Sequence, residues 1–408
     1  MISRRSLLVG TIFLPLTTKT AGASEVEKAP ILEIDTLYPL RAANGALPQS
    51  FEGAYSKVLS RQESLNTWFT PLRNIQPEGA VLTDLRNGVQ EYAPYENLDT
   101  AIVNAQLKAI GLSELGGKIA SQFSVSNSFF PISLNFLGII SRRSVTLAVQ
   151  TNFSSMQNLK SFVAYLGNLS KRGFQPLVIG NKENLSGPLF FSSISLALNS
   201  MSFHESLLSR KVKWNNKKIV NAFEVLYNFK RFMNKSVNNL SWVDAHYSVL
   251  TGDSIATFGT LDFANRIPIW MTNDLSLDAL SFPKNSLQTR EIEVNLQGFM
   301  FSKSSKQTNI QSQITLLTSQ ALQRQLINEF PHKLFLSNLG VKPWPGAATE
   351  QSRWKSRRFE PVPSLLLSLP PEFVSTSLAP AIRDVFDMKT SKQISSLCSK
   401  LQKDWQNF

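Results

Sequence analysis

Cysteine is almost missing from this chain: 408 residues hold one, Cys398, and only three histidines, His204, His246 and His332. A single thiol excludes an intrachain disulfide and any cysteine-rich metal site. Beside Leu397 and Leu401, Cys398 reads as a small buried apolar residue. No histidine falls in an H-E-x-x-H pair, and neither G-x-S-x-G nor G-x-x-x-x-G-K-[ST] occurs. The zinc-protease helix, the serine-hydrolase elbow and the phosphate loop are therefore without signatures. Paired carboxylates for glycoside hydrolysis follow no fixed spacing, and nothing here points to a pair. No metal, cofactor or catalytic residue is expected, and the chain reads as a non-enzyme.

Long apolar runs are as scarce. The one present, Ser6 to Thr18, falls short of the roughly 20 residues that a spanning helix needs. It follows Arg4 and Arg5 and precedes the small residues Ala21, Gly22 and Ala23. That order is the basic, apolar and small-residue order of an export leader over residues 1–23, cleaved near Ala23. Ser3-Arg4-Arg5-Ser6-Leu7-Leu8, with Lys19 downstream, also fits a twin-arginine leader; a general secretory leader with two arginines is the other reading. The mature protein is expected outside the inner membrane, in the periplasm.

Acidic residues are the minority, 29 against 42 basic, for a net charge of +13. Such an excess can serve nucleic acid or an anionic surface. Here the basic residues are scattered, with no aromatic-interleaved stripe, so a solvated basic surface is the reading and no nucleic-acid partner is expected. Repeats and low-complexity tracts are absent too. What remains is ordinary globular composition, 42% hydrophobic and 17% charged, in a chain long enough for two lobes.

The most legible stretch runs from Trp214 to Pro268. Ile219, Val220, Phe223, Leu226, Tyr227 and Phe229 recur at helical spacing, leaving Lys217, Lys218 and Lys230 in water. A second helix is expected from Trp242 to Leu250, with Ser241 as N-cap and Gly252 as its stop; His246 on it reads as a surface or boundary residue. A buried strand from Ser254 follows, then a turn through Gly259-Thr260-Leu261-Asp262-Phe263-Ala264-Asn265.

Gly252, Asp253, Ala256 and Phe258, followed by Leu261, Asp262, Phe263 and Ala264, resemble a strand-and-turn motif of family 1 extracellular solute-binding proteins, in their glucose- and mannose-type branch. These are the sugar-binding subunits of ABC importers. Phe130-Pro131-Ile132-Ser133-Leu134-Asn135 resembles another family segment, and the run from Gln307 to Phe330 with Pro331-His332-Lys333 resembles a third. The resemblance implies an α/β, two-lobed periplasmic-binding-protein-like fold of type II, with mixed sheets flanked by helices and hinge crossovers between lobes. It implies a first lobe from 24–147 and 286–340, and a second from 148–285 and 341–408. Ungapped, Ile139 to Leu147 becomes a strand crossing between lobes, with Arg142 and Arg143 on the hinge surface or facing an acidic ligand. Residues 154–167 and 189–198 are expected as helices, Leu177 to Ile179 and Glu291 to Phe301 as strands, and Phe373 to Asp404 as a closing helix pair.

The resemblance also nominates ligand-binding residues: Tyr38, Asn135, Phe191, Asp262, Phe263, Asn295 and Lys333. Aromatic faces pack on sugar C–H groups, and an Asn amide both donates to and accepts from hydroxyls. Three have a plainer alternative: a strand-end Tyr38, core packing for Phe263, a solvated Lys333. Implied partners are a small polar solute, most simply a sugar, and permease subunits in the inner membrane; a monomer is expected. Leu37 and Leu367 stand where the family carries aromatic or histidine ligands, and its first-lobe Gly-x-Pro-Pro-Asp turn has no counterpart. These departures leave open an interaction protein that has lost its ligand. An exported enzyme on the same scaffold is the remaining reading.

Overall fold

A computed structural model describes residues 129–150, 153, 158–184, 186–260, 274–278, 280, 290–301 and 359–408, together with four short strands at 31–33, 66–68, 80–84 and 334–335. Ile31–Glu33 (β1) and Asn66–Trp68 (β2) pair in parallel. The first large sheet is built on the longest described strand, Arg290–Phe301 (β9). One edge of β9 takes Phe129–Phe136 (β4) antiparallel. Its other edge is shared: Ala80–Asp84 (β3) pairs antiparallel with its second half, and Phe359–Pro363 (β11) in parallel with its first. Leu334–Phe335 (β10) closes the far side of β4.

The second sheet has the order β6-β7-β5-β8: Leu177–Val178, Ala256–Gly259, Gly138–Arg142 and Leu275–Asp278. Its strands are buried on both faces, as apolar strands between helix layers must be. The flanking helices are Arg143–Ala148 (α1), Leu159–Lys171 (α2), Ser186–Asn199 (α3), Met201–Leu208 (α4), Lys217–Phe229 (α5) and Trp242–Thr251 (α6). After β11 come Leu365–Ser368 (α7), a wide turn at Val374–Leu378, then Ala379–Asp387 (α8) and Ile394–Trp405 (α9).

Local chemistry sets most of these ends. Asn158 and Ser161 form a reciprocal capping box on α2, with Ser161 N donating to Asn158 Oδ1 at 2.8 Å. Asn216 accepts from Lys218 N at the start of α5, and Ser241 accepts from Asp244 N at the start of α6. Gly252 ends α6 at φ +85°, a left-handed conformation that favours glycine.

The core lies between α3, α5 and the C-terminal helices. Phe190 packs on Phe229 and Phe258, with centroids 5.4 and 5.0 Å apart, and Phe191 stacks on Phe223 at 4.2 Å. Trp214 meets Phe373 at 5.2 Å, while Ile382, Val385, Phe386, Cys398 and Leu401 seal the other side. Cys398 is buried as expected, and burial pushes its thiol up to about 12, with Glu224 adding to the rise.

Three sequence expectations are revised here. The strand expected over Ile139–Leu147 stops at Arg142, where α1 begins. Its cause is distant in sequence: Asp274, just before β8, accepts from Ser144 N at 2.7 Å and from Arg142 Nε at 2.8 Å. A carboxylate at a helix N-terminus satisfies its free N–H groups and complements its dipole. Burial alone would raise the Asp274 carboxyl; Ser144 and Arg142 outweigh it and hold the group below the usual carboxylate range. Second, the chain leaves the first sheet at Leu137, before the boundary expected at 147, and β11 rejoins that sheet although 341–408 was assigned to the second lobe. Third, His246 is buried rather than at the surface.

Candidate functional site

Three passages out of or into the first large sheet meet in one place among the described residues. The first is one residue long: β4 ends at Phe136, Leu137 crosses, and β5 starts at Gly138. A Cβ on Gly138 would lie 2.5 Å from the carbonyl oxygen of Asp278, so the strands approach too closely there for any side chain. The second runs from β8 to β9, with Leu280 buried on the way. The third is again one residue, Ser364, between β11 and α7.

Glu293 touches the first and the third and lies on the strand that the second reaches. Its backbone oxygen accepts from Leu137 N at 3.0 Å. Its carboxylate accepts from Ser192 Oγ, from Ser193 Oγ at 2.5 Å and from Leu365 N at 3.2 Å. The side chain is 1% exposed. Burial pushes it up to about 7, against the opposing pull of hydrogen bonds from Ser192, Ser193, Leu365 and Ser364. Sequence reading missed this residue, because a glutamate within an alternating strand carries no local mark of burial.

Asn135 and Asn295 are direct register partners on β4 and β9, beside this junction. Asn295 is two positions beyond Glu293 on the same strand. Leu334, which follows Lys333, pairs with Leu134, which precedes Asn135. Gly259, at the end of β7 from which the chain runs on towards Asp262 and Phe263, pairs with Gly138. The backbone thus gathers Asn135, Asn295 and described sequence neighbours of Lys333, Asp262 and Phe263 around the passages. Tyr38, Asp262, Phe263 and Lys333 themselves, and the side chains of Asn135 and Asn295, lie outside the described residues.

Phe191 is elsewhere. It is fully buried in α3 and stacked on Phe223, so its ring is committed to the core and has no surface to offer a ligand. Arg142 is also occupied: besides Asp274 it donates to the carbonyl of Leu250 at 2.6 Å. Both His204 and His246 are buried. Burial lowers His204 to about 3, and its Nε2 lies 3.0 Å from Ser195 Oγ. Burial lowers His246 to about 4, partly offset by the Trp242 carbonyl 2.6 Å from its Nδ1. Among the described residues no group of His, Cys, Asp and Glu is placed to hold a metal ion.

A groove of about 740 Å³ opens among Gln175, Tyr227, Asn234, Lys235, Asn238 and Lys389. Gln175 precedes β6, and the start of β6 aligns through β7 with the Ser141–Arg142 end of β5. The groove is therefore at the end of the second sheet remote from Gly138 and is distinct from the junction.

No protein-family model matches this chain, and no curated protein matches it in sequence. Solved structures match it in fold. The bacterial solute receptor AcbH, described as having an exclusive preference for β-D-galactopyranose, is 12% identical with a TM-score of 0.71, covering 92% of this chain and 98% of that one. A chitin oligosaccharide binding protein is 12% identical at 0.70, covering 92% and 98%. A sugar transporter protein of Bacillus licheniformis, in complex with stachyose, is 10% identical at 0.67, covering 92% and 99%. The chain has their fold: two lobes of mixed sheets flanked by helices, joined by crossovers. These neighbours are binding proteins rather than enzymes. Among the described residues no helix is long and apolar enough to cross a membrane.

Proposed function

We propose that a chain with this fold is itself a divergent member of family 1 of the extracellular solute-binding proteins, the receptor of an ABC importer. It closes two lobes on a sugar or sugar-like polar solute and presents the closed form to permease subunits in the inner membrane. The observation that carries the reading is a receptor fold matched over 92% of the chain, with Asn135 and Asn295 in register beside the junction of the crossovers. Export under the leader at residues 1–23 to the periplasm, and a monomeric state, complete it.

The chemistry asked of the site is modest. A neutral sugar needs donors and acceptors in pairs, which asparagine amides supply, and one or two aromatic faces for its C–H groups. Asn135 and Asn295 serve hydroxyls from the first lobe, and Lys333, the residue before β10 in sequence, is a third polar partner. Tyr38 and Phe263 supply the stacking faces, and Asp262 accepts from a hydroxyl. Phe191 drops out of this set. The solute contacts both lobes only when they are closed, and that difference in contact is what shifts the population.

Titration calorimetry with galactose, raffinose, stachyose, chitin oligosaccharides and sugar acids tests the reading. Saturable one-to-one heat is expected with at least one of them. Asn295→Ala then weakens that affinity at least tenfold, roughly the 1.4 kcal/mol of one lost hydrogen-bonding group. Heat with none of the panel removes the sugar claim and favours an interaction protein.

A further inference from the structure

Taking the receptor reading as its premise, we propose that Glu293 is a positioning residue for solute capture: its carboxyl ties β9 of the first sheet to α3 and to the start of α7, and that tie governs how readily the lobes close. Four hydrogen bonds carry this. Leu137 N on the first passage reaches the Glu293 carbonyl, Ser192 and Ser193 on α3 hold the two carboxylate oxygens, and Leu365 N follows the third passage. Glu293 itself lies on β9, where the second passage ends. Opening or twisting at the junction must stretch or exchange some of these bonds. Glu293 thus meets the first passage through its backbone and the third through its side chain.

The surroundings make the carboxyl a two-state element. No cation contributes to its environment. α3 and α7 carry no ionisable side chain, and neither does the Leu137–Gly138 passage or β4. On β9 the charged neighbours are Arg290 and Glu291; the Glu291 carboxylate accepts from Met201 N at 3.0 Å. Glu360 on β11 is in register with Glu291. α4 bears His204, held by Ser195 of α3, and the exposed Glu205. A buried carboxylate without a cation gains by reaching water, whereas the acid form is content where it is. The protonated residue holds the tie with one serine bond reversed, its O–H donating to a serine Oγ while the other oxygen still accepts, and the ionised one favours a loosened, more open junction.

Small-angle scattering on the unliganded protein from about pH 5.5 to 8.5 tests this without needing to know the solute. The wild-type radius of gyration is expected to rise with a midpoint near pH 7. Glu293→Gln keeps the size and loses the charge, so it should stay at the low-pH value throughout. Ser193→Ala removes a donor that favours the carboxylate, so its midpoint should move to higher pH; a merely structural serine would shift none. This variant also serves if Glu293→Gln folds poorly. A wild-type radius that ignores pH overturns the proposal, as does a Glu293→Gln protein that keeps the wild-type response. Either result leaves sugar binding standing, while a silent sugar panel leaves the scattering result standing.

Discussion

Three buried ionisable side chains set opposing pH limbs on the stability of this protein. His204 and His246 have folded values of about 3 and about 4 against an ordinary 6.5. The unfolded chain takes up their protons first, so stability falls as pH drops below 6.5 towards those values. Glu293 has the opposite sign, with a folded value of about 7 against 4.5. Its contribution is complete below 4.5 and is lost as pH rises through 7, about 3 kcal/mol across the window. Between 4.5 and 6.5 two histidines oppose one glutamate, so these groups place maximum stability near 6.5. Glu293→Gln should roughly double the slope of unfolding free energy between pH 5 and 6, because two net protons replace one. Urea unfolding at half-unit pH steps reads this; an unchanged slope contradicts the assignment. Phe191 makes a second case at this scale. Phe191→Leu should cost about 1 kcal/mol of stability and leave solute affinity unchanged, since the ring packs only on core neighbours such as Phe223. A tenfold loss of affinity in calorimetry, with stability unchanged, would return it to the binding site.

Elements were legible in the sequence where their causes were local. The helix Lys217–Phe229 and the helix Trp242–Thr251 follow from apolar spacing, a capping Asn or Ser and a stopping glycine, all within a few residues of the ends they set. The strand Arg290–Phe301 showed as alternation, although its burial among Ser192, Ser193 and Leu365 did not. The start of α1 was hidden because Asp274, which caps it, is 130 positions from Ser144. Asp274→Ala should therefore cost about 1–2 kcal/mol, as the loss of an N-cap does. That loss should be joined by fraying of residues 143–148, seen as faster amide exchange there and not in α5. Uniform exchange changes across the protein would argue against a local cap. The candidate site was legible only in part for the same reason. Asn135 and Asn295 were each nominated from their own segment, and their pairing across strands appears only in the fold. His246 carried no sign of its burial, since its neighbours Trp242 and Ala245 would suit a boundary position equally well.

Among the described residues two larger sheets centre the fold, and the C-terminal segment contributes to both. β11 completes the first sheet, and α7, α8 and α9 then pack into the core of the second. The passages at Leu137 and Ser364 are one residue each and give little slack. Gly138→Ala puts a Cβ against the Asp278 carbonyl at the first of them. It should cost about 1–3 kcal/mol in thermal or urea unfolding, and it should weaken solute binding as well, because the clash falls on the passage itself. Loss of stability with binding fully retained would separate the passage from closure. The central claim, a two-lobed receptor that closes on a polar solute, is tested most directly by small-angle scattering at pH 6 with and without the panel sugar that gives heat in calorimetry. The account predicts a smaller radius of gyration in saturating sugar; superimposable profiles with the sugar bound would contradict it.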